Sequence, residues 1–165
     1  MTAATILALN RESPIGALKH ISWSVLPLVA GLFVLVEALN WTGAVGLLSE
    51  ELKRAAEWST GGAAVGSGVI VAIVSNLLNN LPTGLVAGSA VQDAGVPNSV
   101  SGAVLIGVDL GPNLSVTGSL ATILWLSALR REGLNFGAWK FLKIGLVVMP
   151  PALALSLGSL MLLTR

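Results

Sequence analysis

GVDLGPNLSVTGSLATILW, residues 107–125, sits inside an apolar stretch running from residue 99 to residue 129, and its reading decides the fold. A straight helix crosses a hydrocarbon core of about 30 Å with roughly 20 residues. This stretch is longer than that, and its middle is Asp109-Leu110-Gly111-Pro112-Asn113. Proline removes a backbone donor and blocks continuation of the preceding turn. Backbone that leaves helical geometry inside lipid must be satisfied by protein, water or a ligand. Residues 99–129 are therefore expected to make one crossing with an unwound middle that lines a cavity. One such break also occurs in ordinary kinked membrane helices, so the argument needs a second.

The second lies upstream. Residues 61–90 are interrupted by Asn79-Asn80-Leu81-Pro82 and are too short for two full spans. A re-entrant helical hairpin fits, with Asn, Ser and Thr supplying amides and hydroxyls around the break. Half-helices beginning near Thr83 and Asn113 would aim their amino-terminal dipoles at the bilayer midplane. Paired interruptions of this kind point to a secondary-transporter site. On either side, residues 21–39 and 144–163 are uninterrupted span candidates. The whole chain, 1–165, reads as a single all-α transmembrane domain.

Composition agrees, with 54% hydrophobic and 10% charged residues and a mean hydropathy of +0.85, far from a soluble domain. Gly62/Gly66, Gly84/Gly88 and Gly107/Gly111 have the small-xxx-small spacing of close helix contacts in lipid. A net charge of +1 with no basic stripe excludes a nucleic-acid partner. The absence of cysteine excludes disulfides and thiol chemistry, and one histidine makes no cluster, so neither metal nor cofactor is expected. His20, beside Lys19, is read as interfacial. Residues 3–9 are short and lack a positive flank, unlike a signal peptide. They read as the end of a helix whose earlier part lies upstream.

Unbalanced cations at Arg11/Lys19 and at Arg130/Arg131/Lys140/Lys143 place those two segments in the cytoplasm. The mixed segment Glu50, Glu51, Lys53, Arg54, Glu57 and the loop 91–98, with Asp93, fit the outside. Two basic segments on one side require an even number of crossings between them. Residues 21–39 supply one, the hairpin none and residues 99–129 one. Glu37, next to Asn40 and Trp41, reads as interfacial. Asp109 has two readings. Leaving water disfavours a carboxylate's charge, so Asp109 can exchange a proton and couple transport to a proton gradient. Alternatively, exposed backbone N–H groups hold it ionised as a structural cap.

SNLLNNLPT, residues 75–83, together with residues 107–125, resembles the arsenical pump membrane protein family across nearly the whole chain. The tip motif alone is also similar to hairpins across a wider ion-transporter superfamily that includes dicarboxylate carriers and sodium/proton antiporters. The resemblance implies a multi-pass inner-membrane permease, a transporter and not an enzyme, that extrudes arsenite and antimonite. Either a proton gradient drives it or a cytoplasmic arsenite-stimulated ATPase partners it. It further implies two inverted repeats, each with a hairpin and a broken helix, of which this chain matches the carboxy-terminal one. Its other partners would be membrane lipid and a missing amino-terminal half or a second copy.

By the same resemblance the site residues are Asn76, Asn79, Asn80, Pro82 and Thr83 on the hairpin. On the broken helix they are Asp109, Gly111, Pro112, Asn113, Thr117 and Ser119. Many family members have a basic residue after Gly-Pro, where this chain has Asn113, so a charge-based role does not carry over. Arsenite at neutral pH is largely an uncharged trihydroxide, which amides, hydroxyls and a carboxylate can bind without thiols. Two alternatives stand beside efflux. One is a dicarboxylate or sodium/proton carrier, although neither break contains Arg or Lys to hold an anion and helix dipoles alone would have to do so. The other is an inactive truncated permease fragment.

Overall fold

A computed structural model describes Trp23 and residues 25–164. It divides into two compact units, Met1–Leu32 and Phe33–Arg165. The first contributes only Trp23 and the opening turns of one helix, so the packing below concerns the second. The apolar run 3–9, Arg11, Lys19, His20 and the start of the 21–39 span lie outside the described residues.

Every regular element among the described residues is helical: α1 (Val25–Trp41), α2 (Ala44–Trp58), α3 (Thr60–Leu78), α4 (Asn80–Ala94), α5 (Asn98–Leu110), α6 (Leu120–Arg131) and α7 (Ala138–Leu163). Two 3₁₀ turns, Gly111–Leu114 and Val116–Gly118, separate α5 from α6. By length and composition α3 and α7 can each cross a membrane, and α1 with α2 form a pair bent by 70°. The bend falls at Gly43, whose φ of 78° is left-handed and suits a residue without a Cβ.

The burial pattern is inverted relative to a water-soluble protein. In α3 the buried positions are small, Ala63, Ala64, Gly68, Ala72 and Ser75, while Val65, Val69, Ile70, Ile73 and Leu77 are exposed. Water would drive the large side chains inward. In lipid there is no such force between helices, and close packing of small residues holds them together. α3 and α5 meet backbone to backbone. A Cβ at Gly68 would stand 2.9 Å from the Ala103 carbonyl oxygen, and one at Gly111 would stand 2.5 Å from Ala72 Cα. Of the three small-xxx-small pairs, only Gly107/Gly111 makes such contact, since a Cβ at Gly66 or Gly88 meets nothing within 4 Å.

α7 completes the core with Gly145, Met149, Leu153 and Leu157 at four-residue spacing, the repeat that keeps one helix face inward. It starts at Ala138, six residues before the expected 144, and runs through Pro150 and Pro151. The mixed-charge segment from Glu50 to Glu57, expected only to lie outside, is part of a longer helix, Ala44–Trp58. That helix, α2, buries Val45 and Ser49, packs Leu52 and Ala56 on the core, and exposes Glu50, Glu51, Lys53, Arg54 and Glu57. Arg54 bridges Glu51 at 2.6 Å and Glu50 at 3.4 Å, exposed pairs worth about 0.3–0.5 kcal/mol each.

Both half-helices start elsewhere than expected. α4 begins at Asn80 instead of Thr83, because Asn79 already caps it and Pro82 is tolerated in a first turn, where N–H groups have no helical partner. The half-helix expected at Asn113 begins at Leu120, because the chain needs two 3₁₀ turns before Ser119 can cap it.

Candidate functional site

The break between α3 and α4 is a single residue. Asn79 has φ 83° and ψ 147°, the one non-glycine residue with positive φ among those described. That conformation is close to a region nearly restricted to glycine and costs about 1–3 kcal/mol. Its side chain secures the turn from both sides. Oδ1 accepts from the Leu81 N–H at 3.2 Å, capping α4. Nδ2 donates to the Thr117 carbonyl at 3.4 Å, tying the tip to the 3₁₀ segment.

A second tie lies one turn back on α3. Ser115 Oγ donates to Asn76 Oδ1 at 2.8 Å and shares a hydrogen bond of 3.0 Å with Thr117 Oγ1. Deeper still, the buried Ser75 hydroxyl donates to the Val108 carbonyl at 3.2 Å, in the last turns of α5 where the helix is about to end. Three side chains of the α3 end thus bond to the broken helix. Asn76, Asn79 and Thr117 had been picked out from the sequence, whereas Ser75 and Ser115 had not. Both stand in the quoted motifs, and their hydroxyls were the available signal.

The rest of the break is held locally. Gly111 and Pro112 are buried, Gly111 against Ala72, while Gly118 closes onto Pro112, where a Cβ would come within 2.6 Å of the Pro112 carbonyl oxygen. Asn113 is exposed and donates through Nδ2 to the Asp109 and Leu110 carbonyls at 3.0 and 3.2 Å. It thereby satisfies two carbonyls that α5 leaves open as it ends. Ser119 Oγ accepts from the Ala121 N–H at 3.2 Å and caps α6. Four of the expected site residues, Gly111, Pro112, Asn113 and Ser119, are therefore at least partly frame.

Asp109 lies in the last turn of α5, not in the unwound segment, and is exposed in this chain. Its carboxylate has no hydrogen bond or ion pair among the described residues, so no backbone N–H holds it as a cap. Asn80 likewise commits neither end of its amide. Thr83 is on a different surface. It is 6% exposed, its hydroxyl has no partner among the described residues, and with Pro82 it lines an open apolar groove of about 820 Å³ between α1, α2, α3 and α4. None of Asn76, Asn79, Asn80, Asp109, Asn113, Thr117 and Ser119 lines that groove. Glu37 accepts from Trp41 Nε1 at 2.7 Å one turn on. No group of three or more His, Asp or Glu residues suited to a metal occurs among the described residues.

The sequence profile of the arsenical pump membrane protein family matches residues 6–163, hairpin and break included. The chain belongs to that family. Arsenical pump membrane proteins of Escherichia coli are 28% and 30% identical to it over 149 residues, covering 88% of this chain and 35% of theirs. An uncharacterized transporter of Mycobacterium tuberculosis (strain CDC 1551 / Oshkosh) is 36% identical over 152 residues, 84% of this chain and 34% of its own. The chain thus spans about a third of the length of the curated relatives it matches. No solved structure matches it. For a member of the arsenical pump membrane protein family with apolar helices of spanning length, the solvent is lipid, and the chain is an integral membrane protein. The inverted burial of α3 has the same cause.

Proposed function

We propose that this chain is the substrate-handling part of an inner-membrane permease that exports arsenite and antimonite. The observation that carries the reading is the bonding of the hairpin tip to the broken helix through Asn76, Asn79, Ser115 and Thr117. α5 has 13 residues and α6 has 12, and neither alone reaches across about 30 Å of hydrocarbon. A tip tied to the segment between them therefore belongs inside the membrane, which supports a re-entrant hairpin and one inverted repeat of an ion-transporter fold.

The hydrogen bonds support a division of these residues into frame and ligand-facing groups. Asn79, Ser115 and Ser119 shape the break. The Asn80 amide, the Asp109 carboxylate, Asn113 Oδ1 and the unused Asn76 Nδ2 remain open to a ligand. Such a set offers amide donors, amide acceptors and one carboxylate, the chemistry a neutral trihydroxide needs. It contains no Lys or Arg for a dicarboxylate. A proton gradient, or an ATPase partner, would set the direction of transport.

The test is growth of an arsenite-sensitive bacterial strain in which this chain is expressed together with the amino-terminal half of a relative. Restored resistance with lowered cell arsenite, abolished by Asn80→Ala with Asp109→Asn, is the expected result. Sensitivity unchanged although both halves insert would overturn the proposal.

A further inference from the structure

We propose that the surface around the connection from α6 to α7 binds one anionic phospholipid, its headgroup among Arg130, Arg131, Lys140 and Lys143 and an acyl chain in the adjoining aromatic cleft. α6 ends on Arg130 and Arg131, and Lys140 and Lys143 lie in the first two turns of α7. All four are exposed and none forms an ion pair among the described residues. Glu132 is the sole acid from residue 110 onward, so the cluster keeps its positive charge.

Apolar walls adjoin the cations. Trp125, Phe136 and Phe141 pack with ring centroids 5.8–6.5 Å apart. With Ile144, Gly145, Val148, Met149 and the one polar residue Asn113 they line an open cleft of about 280 Å³. Lys140 Nζ stands 5.3 Å from the Phe136 ring and Lys143 Nζ 5.7 Å from the Trp139 ring, so charge is held over the aromatic rim. A soluble anion would use the cations and leave the cleft empty. An amphiphile with an anionic head and an apolar tail uses both. Each Lys or Arg near such a headgroup favours it by about fivefold.

The test places a variant retaining Trp125, with Trp23, Trp41, Trp58 and Trp139 changed to Phe, in phosphatidylcholine nanodiscs. These carry a small fraction of dibrominated phosphatidylglycerol or dibrominated phosphatidylcholine. Quenching of Trp125 by the anionic lipid at more than about tenfold lower content is expected, since the contributions of two or more cations at about fivefold each multiply. Lys140→Gln and Lys143→Gln should each reduce the preference by about fivefold, Arg at both positions should keep it, and Lys53→Gln with Arg54→Gln should not change it. Equal quenching by the two lipids, a preference surviving glutamine at all four cations, or loss of the effect in millimolar inorganic phosphate would overturn the proposal. The unmodified chain supplies a check independent of folding in that variant: phosphatidylglycerol retained by the purified protein should exceed its share of the membrane, and retention at that share counts against the site.

Discussion

At the scale of single residues, the strongest constraint is Gly111, where α3 and α5 touch through their backbones. Gly111→Ala would drive a methyl into Ala72, and backbone cannot yield as a side chain can, so a loss of about 3 kcal/mol or more is expected. Gly88→Ala, in open space on α4, should be neutral or slightly stabilising. Urea unfolding in detergent micelles compares the two. Asn79 allows a finer separation. Asn79→Gly and Asn79→Ala both lose the cap and the Thr117 tie, but only alanine keeps the strain of positive φ. Glycine should therefore be more stable than alanine by about 1 kcal/mol in the same assay. Asp109 should show the opposite profile. Its carboxylate is exposed and has no partner among the described residues, so Asp109→Asn should change stability by less than about 0.5 kcal/mol. In a complete permease containing this segment it should abolish or uncouple pH-dependent arsenite efflux. Full activity with an unchanged pH profile would remove Asp109 from the transport step.

At the scale of elements, α3 and α4 are separated by the single residue Asn79, and the broken pair α5 and α6 carries the chain onward. Cysteines at Glu50 and Asp93 should label from the periplasm, and cysteines at Arg130 and Lys140 from the cytoplasm. Labelling of positions 93 and 130 from one side would eliminate the re-entrant arrangement. α3 has 19 residues, about 28 Å of helix, enough by itself to cross. The depth of the tip is therefore the sharper question. A cysteine at Asn80 should resist impermeant reagents from the cytoplasmic side, whereas free labelling there would mean a full hairpin crossing. α2 was not recognised as a helix in the sequence. Its charges set the reading, yet Val45, Leu52 and Ala56 already recur at helical spacing and Glu50 and Arg54 stand four apart.

At the scale of the whole molecule, alternating access in repeat-built carriers moves one set of elements against another around a shared midplane site. The chain by itself should therefore be inactive. Purified and reconstituted in proteoliposomes under an imposed pH gradient, it should show no saturable arsenite flux. Flux that saturates and disappears with Asn80→Ala or Asp109→Asn would instead indicate a functional homodimer. Large apolar side chains exposed on α3 and α7, among them Val69, Ile73, Leu146, Val147, Leu155 and Leu162, have no place in water. In a bilayer such side chains are ordinary lipid contacts.

Lipid as solvent was legible from composition, because every transmembrane segment must be apolar whatever it packs against. The two breaks were legible because proline and asparagine act locally, through a missing donor and a competing amide, wherever the chain folds. The family was legible from residues 75–83 and 107–125. Pairings were not. That Asn79 reaches Thr117, that Asn76 meets Ser115 and that Thr83 lines a separate groove depend on how α3 crosses α5. That crossing is fixed by contacts between Gly68, Ala72, Ala103, Gly107 and Gly111, which are distant in sequence. The same holds for Asp109: its chemistry is written in the sequence, but its exposure follows from the end of α5 lying one residue further on, at Leu110. A helix terminus is set by the balance of caps and tertiary packing, and only the folded chain contains both.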